Sequence, residues 1–218
     1  MGKKKNVSSA AILVILAALG SLYLSVVGLP PRLDARPHEA LGEAMARETG
    51  KQLGAGGRIH LIRRDTALYP NPAADAQIRA FHRELRKAGA SVATTTVIKK
   101  DPLSLLSVPP GDFYKIIEKA SEADVIASFM GPPMLTTDQL AKLGSKRPKI
   151  VVVCLGDMPR QVDLKRRFEQ KLVETAILSR RDTPSSLPAS GSLQTWFDHF
   201  FVAASQANLA ELLPPSQP

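Results

Sequence analysis

A run of apolar residues, KIVVVCL at Lys149–Leu155, constrains the fold of this chain more than any other feature. A strand whose side chains are apolar on both sides is typical of a parallel sheet that is covered on both faces. We therefore expect alternate side chains of this strand to pack into two different apolar layers. Val152 lies at its centre and should be fully buried.

Four further segments that are rich in apolar or β-branched residues alternate with helical patterns. The five predicted strands are Arg58–Arg63, Ser91–Ile98, Asp124–Met130, Lys149–Leu155 and Val173–Ser179. Strands that alternate with helices indicate parallel pairing through right-handed crossovers. The predicted fold class is α/β, with a single doubly wound, mostly parallel five-stranded sheet of flavodoxin-like or Rossmann-like type and the strand order 2-1-3-4-5.

Capping residues predict where several helices begin. Asn71 followed by Pro72 is a typical helix start. Thr136 and Gln139 have the spacing of a capping box. Apolar residues at helical spacing over Leu193–Ala204 predict one last amphipathic helix that packs on the core.

The N-terminal region contains an uncharged run of 20 residues, Ala10–Leu29, which Lys3, Lys4 and Lys5 precede. A helix of that length spans about 30 Å, the thickness of the hydrocarbon core of a bilayer. We predict a single-pass transmembrane helix, and a cleaved signal peptide or a buried core helix remains an alternative. Lysines before the run favour a cytoplasmic N-terminus and a domain on the periplasmic side.

These features divide the chain into five predicted segments. They are a short basic cytoplasmic tail at 1–9, a transmembrane anchor at 10–29, a juxtamembrane connector at 30–57, a Rossmann-like domain at 58–206 and a C-terminal tail at 207–218. Within the connector, a short amphipathic helix is expected around Pro37–Leu53.

Composition limits the partners of the chain. The formal net charge is +9, but aromatic residues make up only 5%, too few for a surface on which nucleic-acid bases stack. We therefore predict membrane lipid as a partner, contacted through Ala10–Leu29, and no nucleic acid. The single cysteine, Cys154, excludes an intrachain disulfide and falls inside a predicted strand.

No motif for catalysis or metal binding stands out. The four histidines are scattered without the spacing of a zinc site, and neither a nucleophile elbow nor a phosphate-binding P-loop is present. We predict a protein that is not an enzyme and that uses no cofactor and no metal.

One group of residues is a candidate for ligand binding. Ligands of open α/β sheets bind at the carboxyl ends of the strands, at the point where the strand order reverses. There the predicted order brings together Arg64, Asp65, Thr66 and Gly131, and the arginine suits a small anionic ligand. In the other interpretation, Asp65 only caps its loop and pairs with neighbouring arginines. The motif Arg-Arg-Asp-Thr recurs at 180–183, after the fifth predicted strand.

Three stretches carry a resemblance to a known family. They are AFHRELRKAGA at Ala80–Ala90, EKASEADVIASF at Glu118–Phe129 and KIVVVCLGD at Lys149–Asp157. With the strand at Arg58–Arg63, they make the region from Gly57 to Leu178 resemble one lobe of the type-1 periplasmic binding proteins. That family includes the substrate-binding proteins of ABC transporters, and its members hold a solute between two lobes.

Two functions follow from this reading of the sequence. The first is a membrane-anchored, non-catalytic accessory or interaction subunit of an envelope assembly, with protein partners in the envelope. The alternative is a solute-sensing or substrate-binding component related to the binding proteins of ABC transporters.

Overall fold

The computed structural model describes residues 9–27, 33–99, 108–145, 147–184, 186–188 and 191–213. The chain divides into two compact units, one that extends to Leu33 and one that begins at Asp34.

The first unit contains helix α1, Ser9–Val27, which has no charged residue. Every side chain from Ala11 to Tyr23 is exposed. Over the residues described, no helix is both long enough and apolar enough to cross a bilayer. The predicted transmembrane segment Ala10–Leu29 is therefore not supported, and its last two residues lie outside the described part of the chain.

The second unit is built on a six-stranded sheet with the order β2-β1-β3-β4-β5-β6. The strands are β1 Ile59–Arg64, β2 Val92–Ile98, β3 Val125–Ser128, β4 Lys149–Cys154, β5 Thr175–Ser179 and β6 Phe201–Ala204. The first five pair in parallel, and β6 runs antiparallel to β5. The predicted order 2-1-3-4-5 is confirmed, and the sixth strand extends it.

Eight helices are described in this unit. They are α2 Arg36–Gln52, α3 Pro72–Lys87, α4 Pro110–Lys119, α5 Thr137–Leu143, α6 Met158–Gln161, α7 Leu164–Glu169, α8 Leu193–Phe200 and α9 Leu209–Leu212. The predicted caps are confirmed. The Asn71 side chain accepts a hydrogen bond from the Ala74 N–H (3.0 Å), and Thr136 and Gln139 form the capping box.

Two apolar layers cover the sheet, as the sequence of β4 predicts. Ile150, Val152 and Cys154 belong to one buried cluster. Val151 and Val153 belong to the cluster on the opposite face. The central strand is therefore enclosed on both sides, and its burial explains the unbroken apolar run.

Helix α2 is part of the second unit. Its Leu41 and Met45 are fully buried in the same layer as Trp196. The compact unit thus includes residues 34–57, which lie within the predicted connector 30–57. The apolar stripe of this helix covers one face of the sheet.

The prediction of one last helix over Leu193–Ala204 is wrong at its C-terminal end. Helix α8 ends at Phe200, and Phe201–Ala204 form β6, which pairs with the outer edge of β5. Phe201 and Ala204 are buried, so they occupy the core as strand residues. Pairing with a strand distant in sequence decides the conformation here, because the apolar spacing fits a helix equally well.

Asp124 ties the amino ends of β1 and β3 together. Its buried carboxylate accepts hydrogen bonds from the backbone N–H groups of Arg58 (2.7 Å) and Ser121 (2.8 Å). The Arg58 guanidinium (3.2 Å) and His60 Nε2 (3.4 Å) also contact it. Burial opposes its ionisation, but these hydrogen bonds outweigh burial and hold the pKa of Asp124 well below its usual range.

Candidate functional site

A pocket of about 200 Å³ opens at the carboxyl edge of the sheet, where the strand order reverses between β1 and β3. The end of β1, the first turns of α3 and the residues that follow β3 and β4 form its walls. The lining residues are Arg63, Arg64, Thr66, Asn71, Ala73, Ala74, Asp75, Gln77, Ile78, Phe129, Val153, Leu155 and Met158. This is the position at which open α/β sheets bind ligands.

The polar wall of the pocket is held in place by the start of α3. Thr66 donates a hydrogen bond through Oγ1 to Asp75 Oδ1 over 3.2 Å, which links the loop after β1 to the first turn of the helix. Asn71 caps that helix. The orientation of Thr66 and Asp75 is thus fixed before any ligand arrives, which lowers the entropic cost of binding.

Two arginines lie at the pocket. Arg63 and Arg64 both line it, and among the described residues neither has a carboxylate within 4.0 Å. Burial lowers the pKa of the nearby His82, and the charges of Arg86 and Arg63 lower it further. His82 therefore adds no positive charge at neutral pH, and the arginines face one carboxylate, Asp75.

The opposite wall is apolar. Phe129, which follows β3, packs edge-to-face on Phe81 with ring centroids 5.4 Å apart. Its N–H donates to the Ile62 carbonyl over 3.0 Å, so the ring is positioned by the sheet itself. An aromatic and aliphatic wall that faces a few fixed polar groups is the usual composition of a small-molecule pocket.

The structure brings together only part of the predicted site. Arg64 and Thr66 line the pocket, whereas Asp65 and Gly131 do not. Asp65 Oδ1 accepts a hydrogen bond from the Ala67 N–H (3.0 Å), as in the interpretation in which it caps its loop. Gly131 is buried at φ +81°, and its carbonyl accepts a hydrogen bond from Ser128 Oγ (2.7 Å). Whether these residues hold a ligand stays a prediction.

Asp75, Gln77 and Phe129 also line the pocket and were not among the predicted site residues. A signal for Asp75 is present in the sequence, because the predicted helix start at Asn71 places its first turn at the same edge as the end of β1. Phe129 falls within the third predicted strand, where its apolar character gives no indication of a ligand.

The second Arg-Arg-Asp-Thr stretch lies at a different cavity. Arg180, Arg181 and Asp182 line a cavity of about 790 Å³ beyond β4 and β5, together with Gly156 and Asp157. In the described ranges, no three His, Cys, Asp or Glu side chains converge as metal ligands would.

Comparison with known proteins identifies the fold. No family model matches the sequence, and no curated protein matches it. A solute-binding protein of an ABC transporter from Burkholderia graminis, solved in complex with D-arabinose, is similar in structure (TM-score 0.50, 15% identity, 79% of this chain and 61% of that chain). So is a protein from Bacteroides fragilis described as a LacI transcriptional regulator (TM-score 0.52, 12% identity, 94% of this chain and 75% of that chain).

These likenesses show a fold of the type-1 periplasmic-binding-protein class, which confirms the predicted resemblance to one lobe. The chain spans 61% of the length of the arabinose-bound protein.

Proposed function

We propose that this chain is a non-catalytic solute-binding module that holds a small polar solute at the carboxyl edge of its sheet. The observation that carries the proposal is the pocket at the switch point, which Arg64, Thr66, Asp75 and Phe129 line. Its groups suit binding and orienting a solute, and among the described residues no cluster of metal-ligating side chains accompanies them.

The chemistry of the pocket suits a solute that carries hydroxyl groups. Arg64 donates hydrogen bonds and the Asp75 carboxylate accepts them, and the Thr66 hydroxyl, whose proton goes to Asp75, also accepts. Phe129 offers an apolar surface to the C–H face of a ring. One carboxylate opposite two arginines leaves a small positive excess, so a sugar acid or another small carboxylate is the second candidate ligand, in line with the predicted anionic ligand.

The comparisons favour solute binding over the accessory-subunit function. Of the two structures described above, one was solved with a small sugar, D-arabinose. Binding of that kind involves no covalent chemistry, which supports a non-enzymatic role here as well. Membrane lipid and envelope proteins as partners are not supported, and a location outside the cytoplasm stays a prediction that the N-terminal lysines motivate.

Calorimetric titration of the full chain tests the proposal. The probes are D-arabinose, D-ribose and the corresponding sugar acids, each at low and high salt. We expect saturable binding that weakens about 10-fold or more in Arg64→Ala and in Asp75→Asn, because each variant loses a hydrogen bond to a charged group.

Arg181→Ala is the matched control, since it removes an arginine from the separate cavity at the same edge. Affinity that falls with salt would identify an anionic solute, and affinity independent of salt a neutral one. Equal loss in Arg64→Ala and Arg181→Ala would contradict the assignment of the pocket, and no saturable binding of any probe would contradict the proposed function.

A further inference from the structure

Strand β2 forms an edge of the sheet, and most of its residues are exposed to solvent. In the described part of the chain it pairs only with β1. Ala93, Thr94 and Thr95 are exposed, and Val97 is 39% exposed. Because successive side chains point to opposite faces, side chains on both faces of the sheet are exposed at this edge.

At the opposite edge of the sheet, a side chain caps a backbone carbonyl of β6. The Asn208 side chain donates through Nδ2 to the Ala203 carbonyl of β6 over 3.1 Å and accepts from the Ser205 N–H over 2.8 Å. Helix α9 follows directly. Natural proteins protect edge strands with such caps, with charged residues, with proline or with bulges. Val92–Ile98 contains neither charge nor proline, and its register shift is confined to Ala93.

The direction of the backbone groups of β2 follows from one hydrogen bond. The Asp65 N–H donates to the Ile98 carbonyl over 2.9 Å, so Ile98 points its backbone groups toward β1. Backbone groups alternate in direction along a strand, so those of Thr95 and Val97 point away from the sheet. A register shift places an extra residue at Ala93, at the amino end, and leaves the pairing regular from Thr94 onward.

The sequence of β2 is close to a palindrome about Thr95. Read from either end, VATTTVI places Val92 opposite Ile98, Ala93 opposite Val97 and Thr94 opposite Thr96. Two copies that pair antiparallel about a two-fold axis at Thr95 would therefore oppose threonines over Thr94–Thr96, where the pairing of β2 with β1 is regular. The same register puts the outward backbone groups of Thr95 opposite those of the second Thr95, as a hydrogen-bonded pair requires.

We propose that a second copy of this chain pairs antiparallel with β2, with Thr95 opposite Thr95, and joins two sheets into one continuous sheet. Threonine pairs directly across two strands are favourable, and Val92–Ile98 carries no charge that opposes the approach. The symmetry makes the interface isologous, as in most dimers. This inference is independent of the proposed solute binding, because the pocket lies at the carboxyl edge.

Cysteine cross-linking tests both the partner and the register. In a hydrogen-bonded antiparallel pair the Cα atoms at Thr95 are about 5.5 Å apart, within disulfide range. Two copies of Thr94, or of Thr96, are diagonal neighbours at roughly 7–8 Å, beyond that range. We expect mild oxidation of the full chain to cross-link Thr95→Cys and not Thr94→Cys or Thr96→Cys, with the buried Cys154 unreactive.

A charge pair gives a second, independent measurement. Thr95→Lys and Thr95→Glu each place like charges opposite one another, so each variant alone should be monomeric in sedimentation at a concentration where the unmodified chain dimerises. A mixture of the two variants should dimerise again. Thr183→Lys is the control, since Thr183 is exposed in a loop away from β2.

Three results would overturn the proposal. Equal cross-linking of all three cysteine variants would show random collision, and no cross-linking of Thr95→Cys would show that another segment or partner occupies this edge. Failure of the mixed Lys and Glu variants to dimerise would contradict a two-fold axis at Thr95.

Discussion

Substitution of Asp124 by asparagine should destabilise the domain strongly. The side chain of Asp124 is 1% exposed, and each of its two oxygens accepts a backbone hydrogen bond, from Arg58 to Oδ1 and from Ser121 to Oδ2. An amide places an NH₂ group against one of these two donors. One N–H then loses its acceptor, which costs about 1–3 kcal/mol, and the charge-assisted contact with the Arg58 guanidinium is lost as well.

Together these losses amount to about 2–4 kcal/mol, a large fraction of the 5–15 kcal/mol that stabilises a typical domain. Urea unfolding measures the effect through the fluorescence of Trp196, which is the single tryptophan and is 1% exposed. We expect a lower midpoint with an unchanged slope. Asp182→Asn, at an exposed position, should leave the midpoint unchanged.

The loss of stability in Asp124→Asn should also depend on pH, and the pKa of Asp124 gives the direction. Because the pKa of Asp124 is lowered in the folded state, its carboxylate stabilises the fold above the unfolded pKa of about 3.9 and loses that contribution as the pH falls below it. The difference in stability between the unmodified chain and Asp124→Asn should therefore shrink below about pH 4. The reasoning would be refuted if the urea midpoint of Asp124→Asn shifted by less than that of Asp182→Asn. It would also be refuted if the difference in stability between Asp124→Asn and the unmodified chain did not depend on pH.

Two further predictions concern buried positions. Gly42→Ala should cost about 1–3 kcal/mol, because the added Cβ would overlap the Gln77 carbonyl where α2 crosses α3. Gly50→Ala in the same helix has open space around its Cβ and should stabilise by up to about 1 kcal/mol, and equal effects in urea unfolding would contradict this difference. Burial raises the pKa of the Cys154 thiol, so a thiol reagent should label Cys154 only after urea unfolding; rapid labelling of the folded chain would disprove its burial.

Much of this fold could be predicted because local signals and burial agree. The apolar run around Val152 is explained by burial on both faces, and Asn71 and Thr136 cap the helices that they precede. Strand β6 could not be predicted, since Phe201 and Ala204 fit a helical spacing and become a strand only by pairing with β5. Long-range pairing of that kind has no local sequence signal.

Part of the candidate site could also be predicted from the sequence. Arg64 and Thr66 directly follow a strand, so the topology alone brings them to the switch point. Gly131 also follows a strand, but the hydrogen bond from Ser128 folds its carbonyl into a closed turn. Topology thus predicts which edge a residue reaches, and the local turn decides whether it lines the pocket.

The two ends of β1 and β3 have different physical roles. At the amino end, Asp124 joins the strands through fully paired hydrogen bonds, which contribute stability and leave no group for a ligand. At the carboxyl end, Arg64 has no described carboxylate partner within 4.0 Å, and it lines the pocket together with Phe129. The strands pair in register from Ile59 opposite Val125, so the contact at one end also fixes which residues meet at the other. Because a slip of one residue would move Phe129 to the opposite face of the sheet, the Asp124 contact and the pocket depend on the same register of β1 and β3.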